Sequence, residues 1–331
     1  MGIRLLSTCY HGEFRPTSGR TRGRSIIVCR TNEMARQDTI EGFCWLCGRF
    51  AKLTREHIPP RAAFNNKSVL LLAVEENTRE TGRLEWGGKV EEGLIVRSLC
   101  SECNSRGGAK YGTHYVDFIS RVAPIVERAK DREQFIVSGV GRPLSILKQI
   151  MQSFVSANGP SFVEANPWIR KFIRNSRNQE WSPDLFAYIF ATNTRGGRKS
   201  GLGAFFDFGR KRIRTVAEFS FWPLGMVLSF DSLDEYPVTP IHHWAQYDYS
   251  WPGQLDINLV VNPTSSAYAL DFRTRAEMNR DAFRIEPRPK VAGETLREVM
   301  RLAQARGGGK TTDRWAFVTN QRPDIEDGDE E

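Results

Sequence analysis

The chain has 331 residues and a formal net charge of +8, and 40% of its residues are hydrophobic. That length is enough for two domains with a sizeable core, and no apolar run approaches the roughly 20 residues that cross a bilayer, so we expect no membrane partner. Six cysteines, four of them in pairs at zinc-ligand spacing, favour a reducing, cytoplasmic location.

The first 36 residues are rich in arginine, serine and threonine and show no clear hydrophobic periodicity. We expect this basic segment, 1–36, to be disordered. Its composition resembles an organelle transit peptide, but a translation start at Met34 is the simpler interpretation. Cys9 and Cys29 would then have no structural role.

Two Cys-x-x-Cys pairs form the strongest motif in the sequence: Cys44 with Cys47, and Cys100 with Cys103. Each pair can place two thiolates on one side of a tight turn, and two pairs supply the four ligands of a closed tetrahedral zinc site. The pairs are farther apart than the about 15–20 residues of a zinc ribbon, so a folded insert must lie between them. We therefore predict one structural Zn²⁺ bound by all four cysteines.

The sequence between and after the two pairs indicates a strand, a loop, a second strand and a helix. Leu53–Pro59 is typical of a strand that runs into a proline-stopped turn. Gly93–Arg97 ends in a short apolar run that suits a strand, and Lys110–Val122 has helical spacing. Gly107 and Gly108 favour a short or irregular first turn of that helix.

Residues 43–119 resemble the zinc-stapled HNH endonucleases. The resemblance rests on Glu56-His57-Ile58-Pro59 in the first predicted strand and on Cys100-x-x-Cys103-Asn104. It implies a ββα-metal module, residues 37–122, and it covers roughly a quarter of the chain. We therefore expect an α+β protein in which this zinc module precedes a further domain.

One feature of the family is missing at its usual place. The family often has an asparagine in the second strand, shortly before the third cysteine, where this chain has Ile95 and Val96. Either Arg97 or Asn77 takes over that orienting role, or the role is unfilled.

The resemblance also implies an activity, the metal-dependent hydrolysis of phosphodiester bonds in nucleic acid, with DNA favoured over RNA. Glu56 and Asn104 would bind a catalytic Mg²⁺ or Mn²⁺, since hard divalent ions prefer oxygen ligands. His57 would act as general base, because an imidazole titrates near neutral pH. His114 is a candidate further ligand. The basic residues of the module that are candidates for phosphate contacts are Arg55, Arg61, Arg97, Arg106 and Lys110.

Two other interpretations are open. Glu56-His57 ahead of two prolines could simply close a polar turn, and the chain would then be a non-catalytic zinc-binding nucleic-acid adaptor. An RNA-directed nuclease is also open, because DNA and RNA present the same phosphates. Restriction or phage defence would suit a nuclease with an accessory domain, by analogy alone.

Residues 123–310 are predicted to form an α+β accessory domain. Its expected helices cover Leu144–Val155, Trp168–Ile173 and Glu294–Ala305, and its β-like runs follow one another with short links, which favours an antiparallel sheet. A homodimer through this region is one arrangement that the sequence allows. The cluster His242-His243-Trp244 is expected to pack over one end of the sheet.

Residues 311–331 are expected to form an acidic, disordered C-terminal tail. After Arg322 the chain has six acidic residues and no basic one. The positive charge is therefore concentrated in the folded body, as expected for a protein that binds a polyphosphate.

Overall fold

The computed structural model describes residues 40–73, 85–194, 196–207, 212–265 and 269–282, together with 301, 305–306 and 314–319. The predicted basic segment 1–36, Asn77, most of the predicted helix Glu294–Ala305 and the acidic residues after Arg322 lie outside these ranges.

The first part of the chain contains the predicted strands and helix, with additions. Its strands are β1 (Ile40–Phe43), β2 (Phe50–His57), β3 (Val69–Ala73), β4 (Glu85–Val90) and β5 (Ile95–Cys100). Helix α1 (Ser101–Gly107) follows Cys100 directly, continues through a π-helical turn (Gly108–Gly112) and leads into α2 (Thr113–Arg128). The helix thus begins nine residues before the predicted Lys110, and the glycine pair falls at the change to π-helical hydrogen bonding.

A β-bulge in β5 lies opposite the middle of β2. Arg55 pairs with Arg97 and Thr54 with Leu99, so Ser98 is the extra residue opposite this step. An unbroken strand would place Leu53 and Glu56 on opposite faces, yet both side chains are buried. Leu53 and Glu56 lie on either side of the step at which the bulge falls.

The rest of the chain supplies the remaining helices and strands. The helices are α3 (Pro143–Asn158), α4 (Pro160–Ala165), α5 (Trp168–Arg174) and α6 (Arg275–Ala282), with a 3₁₀ turn at His242–Gln246. The strands are β6 (Gln134–Gly141), β7 (Phe186–Ala191), β8 (Gly196–Asp207), β9 (Arg212–Phe221), β10 (Leu224–Ser229), β11 (Thr239–Pro240), β12 (Gly253–Val260) and β13 (Arg314–Thr319).

These strands form three sheets within the described residues. The first has the order β1-β2-β5, the second has eight strands in the order β11-β7-β10-β9-β8-β13-β3-β4, and the third pairs β12 with β6. All pairings between these strands are antiparallel. The predicted mixed α+β class with antiparallel sheets is therefore confirmed.

Two features of the large sheet differ from the sequence-based expectation. Strands β3 and β4 come from the insert between the cysteine pairs, yet they join the sheet of the later region through β13. Strand β13 itself lies in 311–331, so the prediction of a wholly disordered tail was wrong there. Its sequence, Arg-Trp-Ala-Phe-Val-Thr, is rich in aromatic and β-branched residues, which favour strands over disorder.

Helix α3 lies at the centre of the core. Every residue from Pro143 to Ser156 is buried, including the polar side chains Ser145, Lys148, Gln149, Gln152, Ser153 and Ser156. The apolar cluster around it draws side chains from both sides of the predicted boundary at residue 122, and α2 runs across that boundary. No helix among the described residues has both the length and the apolar content to span a bilayer.

Lys148 fixes α3 against the C-terminal end of α5. Its buried ammonium donates to the carbonyl oxygens of Phe172, Asn175 and Asn178, and its Nζ lies 3.7 Å from the centroid of the Phe172 ring. Burial lowers the pKa of Lys148 to about 7. The three carbonyl acceptors supply the partners that a buried ammonium requires.

We expect Lys148→Met to lower the free energy of unfolding by about 3 kcal/mol, because it leaves buried carbonyl groups without a donor. Urea denaturation measures the change. Lys171→Met removes the same charge from an exposed position on α5 and should stay within about 0.5 kcal/mol of the parent. Equal stability of the two variants would contradict the assigned role of Lys148.

Candidate functional site

The four predicted zinc ligands lie together. The Sγ atoms of Cys44, Cys47, Cys100 and Cys103 all lie within 4.8 Å of one another, and those of Cys47 and Cys100 are 3.9 Å apart. Tetrahedral zinc with Zn–S bonds of about 2.3 Å requires S···S distances of about 3.8 Å. The cysteines form no disulfide, and three of them are buried. The cluster therefore fits a structural zinc ion.

The backbone around Cys44 forms the tight turn that the first pair requires. Gly48 N donates to Cys44 O at 2.7 Å, and Cys44 N donates to Arg49 O at 2.9 Å. Gly48 has φ of +77°, which an L side chain rarely adopts, so this glycine allows the turn to close. The Arg49 guanidinium pairs with the Glu102 carboxylate and so links the two cysteine turns.

The thiols perturb one another strongly. Hydrogen bonding from Cys103 lowers the pKa of Cys44 to about 4, while the same interaction, with burial, raises the pKa of Cys103. Burial raises the pKa of Cys100. Four sulfur atoms at this spacing cannot all carry a negative charge without a cation among them, which is the environment that a divalent metal ion stabilises.

A second site lies beside the first, in a cavity of about 230 Å³ between β2, α1 and α3. It is lined by the three predicted catalytic residues and by two of the predicted phosphate contacts, namely Glu56, His57, Asn104, Arg55 and Arg61. The structure thus brings these five residues together. It does not place His114, Arg97, Arg106 or Lys110 in the lining of this cavity.

Glu56 is the buried acid of the cavity, with 5% of its surface exposed. Its Oε2 lies 2.5 Å from Ser156 Oγ and 2.9 Å from Ser98 Oγ, and its Oε1 accepts from Gln152 Nε2 at 3.2 Å. Burial raises the pKa of Glu56 to about 7, and the three donors oppose that rise. Oε1 accepts a single hydrogen bond, so it retains a lone pair for a ligand.

His57 is held by the loop opposite β2. Its Nε2 lies 3.1 Å from the carbonyl oxygen of Glu92. The tautomer protonated at Nε2 donates to that oxygen, which leaves Nδ1 as the basic nitrogen. Burial lowers the pKa of His57, as do the charges of Arg61 and Arg55, so the ring is mainly neutral at pH 7.

Asn104 is oriented by the strand that carries the acid. Its Nδ2 donates to Thr54 Oγ1 at 2.9 Å and to Arg55 O at 3.4 Å. With its amide nitrogen occupied in this way, the amide oxygen is the atom that remains for a ligand. Asn104 belongs to α1, one residue after Cys103, so the cysteine cluster also helps to fix its position.

The sequence assigns the orienting role to Arg97 or Asn77, or leaves it unfilled. Arg97 Nη1 donates to Leu53 O at 3.4 Å, and Asn77 lies outside the described residues. Asn65 links the turn after β2 to the residue that precedes β5. Its Nδ2 donates to Pro59 O at 2.8 Å and to Leu94 O at 3.0 Å, and its Oδ1 accepts from Leu94 N at 2.7 Å.

Gly93 allows Asn65 to approach the loop that holds His57. It has φ of +85°, and a Cβ at this position would lie 2.1 Å from Asn65 Oδ1. Gly93 follows Glu92, whose carbonyl oxygen contacts His57, so Asn65 fixes the acceptor of the His57 ring through the backbone. The signal in the sequence was an Asn in a turn-rich stretch after Pro59-Pro60, which by itself indicates only a loop.

Helix α3 contributes residues that sequence analysis did not assign to the site. Gln149 and Gln152 line the cavity, and Ser156 contacts Glu56. Gly107 makes room for Gln152, since a Cβ at Gly107 would lie 2.0 Å from Gln152 Oε1. In the sequence, Gln149, Gln152 and Ser156 have the spacing of one polar helix face. That spacing is equally typical of a helix face exposed to water, so it does not identify a site.

We expect Cys103→Ser to lose the bound zinc and to lower the melting temperature, because zinc binding contributes on the order of 10 kcal/mol to folding in small zinc modules. Metal content by mass spectrometry and thermal denaturation measure both effects. Cys29→Ser is the matched control, because it makes the same substitution at a cysteine without a Cys-x-x-Cys partner in the sequence, and it should retain zinc at the parent level. Full zinc content in Cys103→Ser would exclude a four-cysteine site.

We expect Asn65→Leu to destabilise the protein by about 2–3 kcal/mol, because the buried groups of Pro59 and Leu94 lose their partners. Thermal or urea denaturation measures this loss. Asn66→Leu makes the same change at the exposed neighbouring position and should remain within about 0.5 kcal/mol of the parent. If both variants have the same stability as the parent, Asn65 does not hold the loop.

Known proteins offer no further guide to this site. Comparison of the chain with protein-family models, with curated proteins and with solved structures gives no match. The function therefore has to be inferred from the side chains that line the cavity and from the zinc cluster beside it.

Proposed function

We propose that this chain is a metal-dependent endonuclease of the HNH type that hydrolyses phosphodiester bonds in nucleic acid, with DNA as the favoured substrate. One observation carries the proposal. Glu56, His57 and Asn104, the residues that match the HNH motif, all line a single cavity next to a four-cysteine cluster. Strands β2 and β5 and helix α1 supply the strand-strand-helix arrangement that a ββα-metal site requires.

Glu56 and Asn104 would bind the catalytic ion. They offer a carboxylate and an amide oxygen, the ligand types that Mg²⁺ and Mn²⁺ prefer, and the cavity has room for water and a phosphate group beside them. A bound divalent ion would neutralise charge on the phosphate and stabilise the departing oxygen. Zinc in the thiolate cluster would remain structural, because that site offers four sulfur ligands and no open position.

His57 would remove a proton from the attacking water. Its Nδ1 is free to accept while Nε2 is fixed by the Glu92 carbonyl, and the lowered pKa keeps the ring in its basic form at neutral pH. The cavity therefore combines a fixed base with two oxygen ligands, which suits hydrolysis better than it suits a purely structural turn.

Arg55 and Arg61 would guide the phosphate backbone into the cavity. Both guanidinium groups belong to exposed residues of its lining. Arg55 also pairs with Glu92, whose carbonyl holds His57, so the base and one phosphate contact share a single loop. The net charge of +8 favours binding of a polyanion. A role in restriction or phage defence, and a homodimer through the later region, are further parts of this proposal.

We expect His57→Ala to lose cleavage of supercoiled plasmid by roughly 10²-fold or more while it keeps zinc and its melting temperature. Nicking in Mg²⁺ or Mn²⁺, followed on gels, measures the loss. His114→Ala is the matched control, because His114 lies outside the cavity lining, and it should cleave like the parent.

The metal ligands should respond differently from the base. Asn104→Ala and Glu56→Gln, the latter chosen because the carboxyl group is buried, should regain part of their activity as Mg²⁺ or Mn²⁺ is raised. His57→Ala should show no such recovery. If His57→Ala cleaves as well as the parent, or if the parent cleaves neither DNA nor RNA with any divalent ion, the chain is better described as a zinc-binding adaptor.

A further inference from the structure

Gln149 and Gln152 both line the cavity, and each has a buried side-chain oxygen without a hydrogen-bond partner among the described residues. The amide of Gln152 already donates to Glu56, whereas the proposed roles of Glu56, His57 and Asn104 give Gln149 no partner. Gln149 lies on α3, its side chain is 3% exposed, and its Oε1 is buried without a hydrogen-bond partner among the described residues. A buried amide oxygen without a partner costs about 1–3 kcal/mol, so such an atom is rarely kept without a reason.

The surroundings of Gln149 favour a ligand over a packing role. The residue lines the same cavity as Glu56 and Asn104. Opposite it, Gly112 lies in the π-helical turn, and even an added Cβ there would stand 3.5 Å from Gln149 Oε1. The glycine therefore places no side chain against the amide oxygen from this side.

The chemistry of an amide oxygen limits what it can bind. It accepts hydrogen bonds and coordinates cations, but it cannot donate to a phosphate oxygen. Its partner must therefore be a cation or a group that donates a proton. Mg²⁺ dehydrates reluctantly and usually keeps several waters when it is bound through one or two protein oxygens.

We propose that Gln149 is a positioning residue of the metal site, and that its Oε1 accepts a hydrogen bond from the hydration shell of the divalent ion bound by Glu56 and Asn104. This inference rests on the proposed function. It means that the ion is held from two sides, by ligands on β2 and α1 and by an amide on α3. The metal site is then complete only when α3 is packed against the zinc module.

Titration of Mn²⁺ into the zinc-loaded full-length protein, followed by calorimetry and by electron paramagnetic resonance, tests this role without reference to cleavage. Mn²⁺ suits oxygen ligands and competes poorly for the thiolate cluster. We expect Gln149→Met to raise the dissociation constant for Mn²⁺ by roughly 10-fold. This is the size of effect seen when a supporting contact to a metal site is lost.

The same variant should melt at the temperature of the parent or above it, because methionine removes an unpartnered polar atom at similar volume. A structural role would predict the reverse, a lower melting temperature with unchanged Mn²⁺ affinity. Gln134→Met, at an exposed position at the start of β6, is the matched control and should change neither quantity.

Three outcomes separate the inference from the function on which it depends. If the parent binds Mn²⁺ and Gln149→Met binds it equally well, the role of Gln149 is wrong and the nuclease proposal stands. If Gln149→Met keeps Mn²⁺ affinity but binds DNA more weakly in buffer without added divalent ions, the amide faces a phosphate and the inference is also wrong. If the parent binds no Mn²⁺ beside its zinc, both proposals fail.

Discussion

The burial of the Glu56 carboxyl group is the constraint on which the rest of the site depends. A carboxyl group removed from water is costly unless donors surround it, and here every donor comes from outside β2. Ser98 lies on β5, while Gln152 and Ser156 lie on α3. The strand that carries the predicted catalytic pair is thus tied to a helix from the later part of the chain. A truncated zinc module would expose this group and lose most of its partners.

The zinc cluster and the buried acid are joined through one bulged residue. Because Ser98 lies outside the regular ladder, its carbonyl oxygen is free to accept from Trp45 N at 2.9 Å, inside the first cysteine turn. Its hydroxyl lies against Glu56 and against Ser156. The first cysteine turn, the acid and α3 therefore meet at a single buried serine. Ser98 therefore connects the first cysteine turn to Glu56.

The sequence predicts the local parts of this site better than their assembly. Cysteine spacing and the Glu56-His57 motif depend on short-range chemistry, so they could be recognised from the residues alone. The polar face of α3 could not, because Gln149, Gln152 and Ser156 have the same spacing whether they face water or a buried acid. Asn65 was missed because an asparagine in a loop usually satisfies its own turn. The bulge at Ser98 depends on a pairing between distant strands, which no local pattern encodes.

The position of β13 affects the order in which this protein can be assembled. It is the last strand described in the chain, yet it lies between β8 and β3, in the interior of the large sheet. An isolated two-stranded hairpin is marginally stable at best, so β3 and β4 gain little from pairing with each other alone. Synthesis proceeds from the N-terminus, and the hairpin leaves the ribosome long before its partner does. The eight-stranded sheet can therefore close only after Arg314–Thr319 has been synthesised, even if the region around the four cysteines has folded earlier.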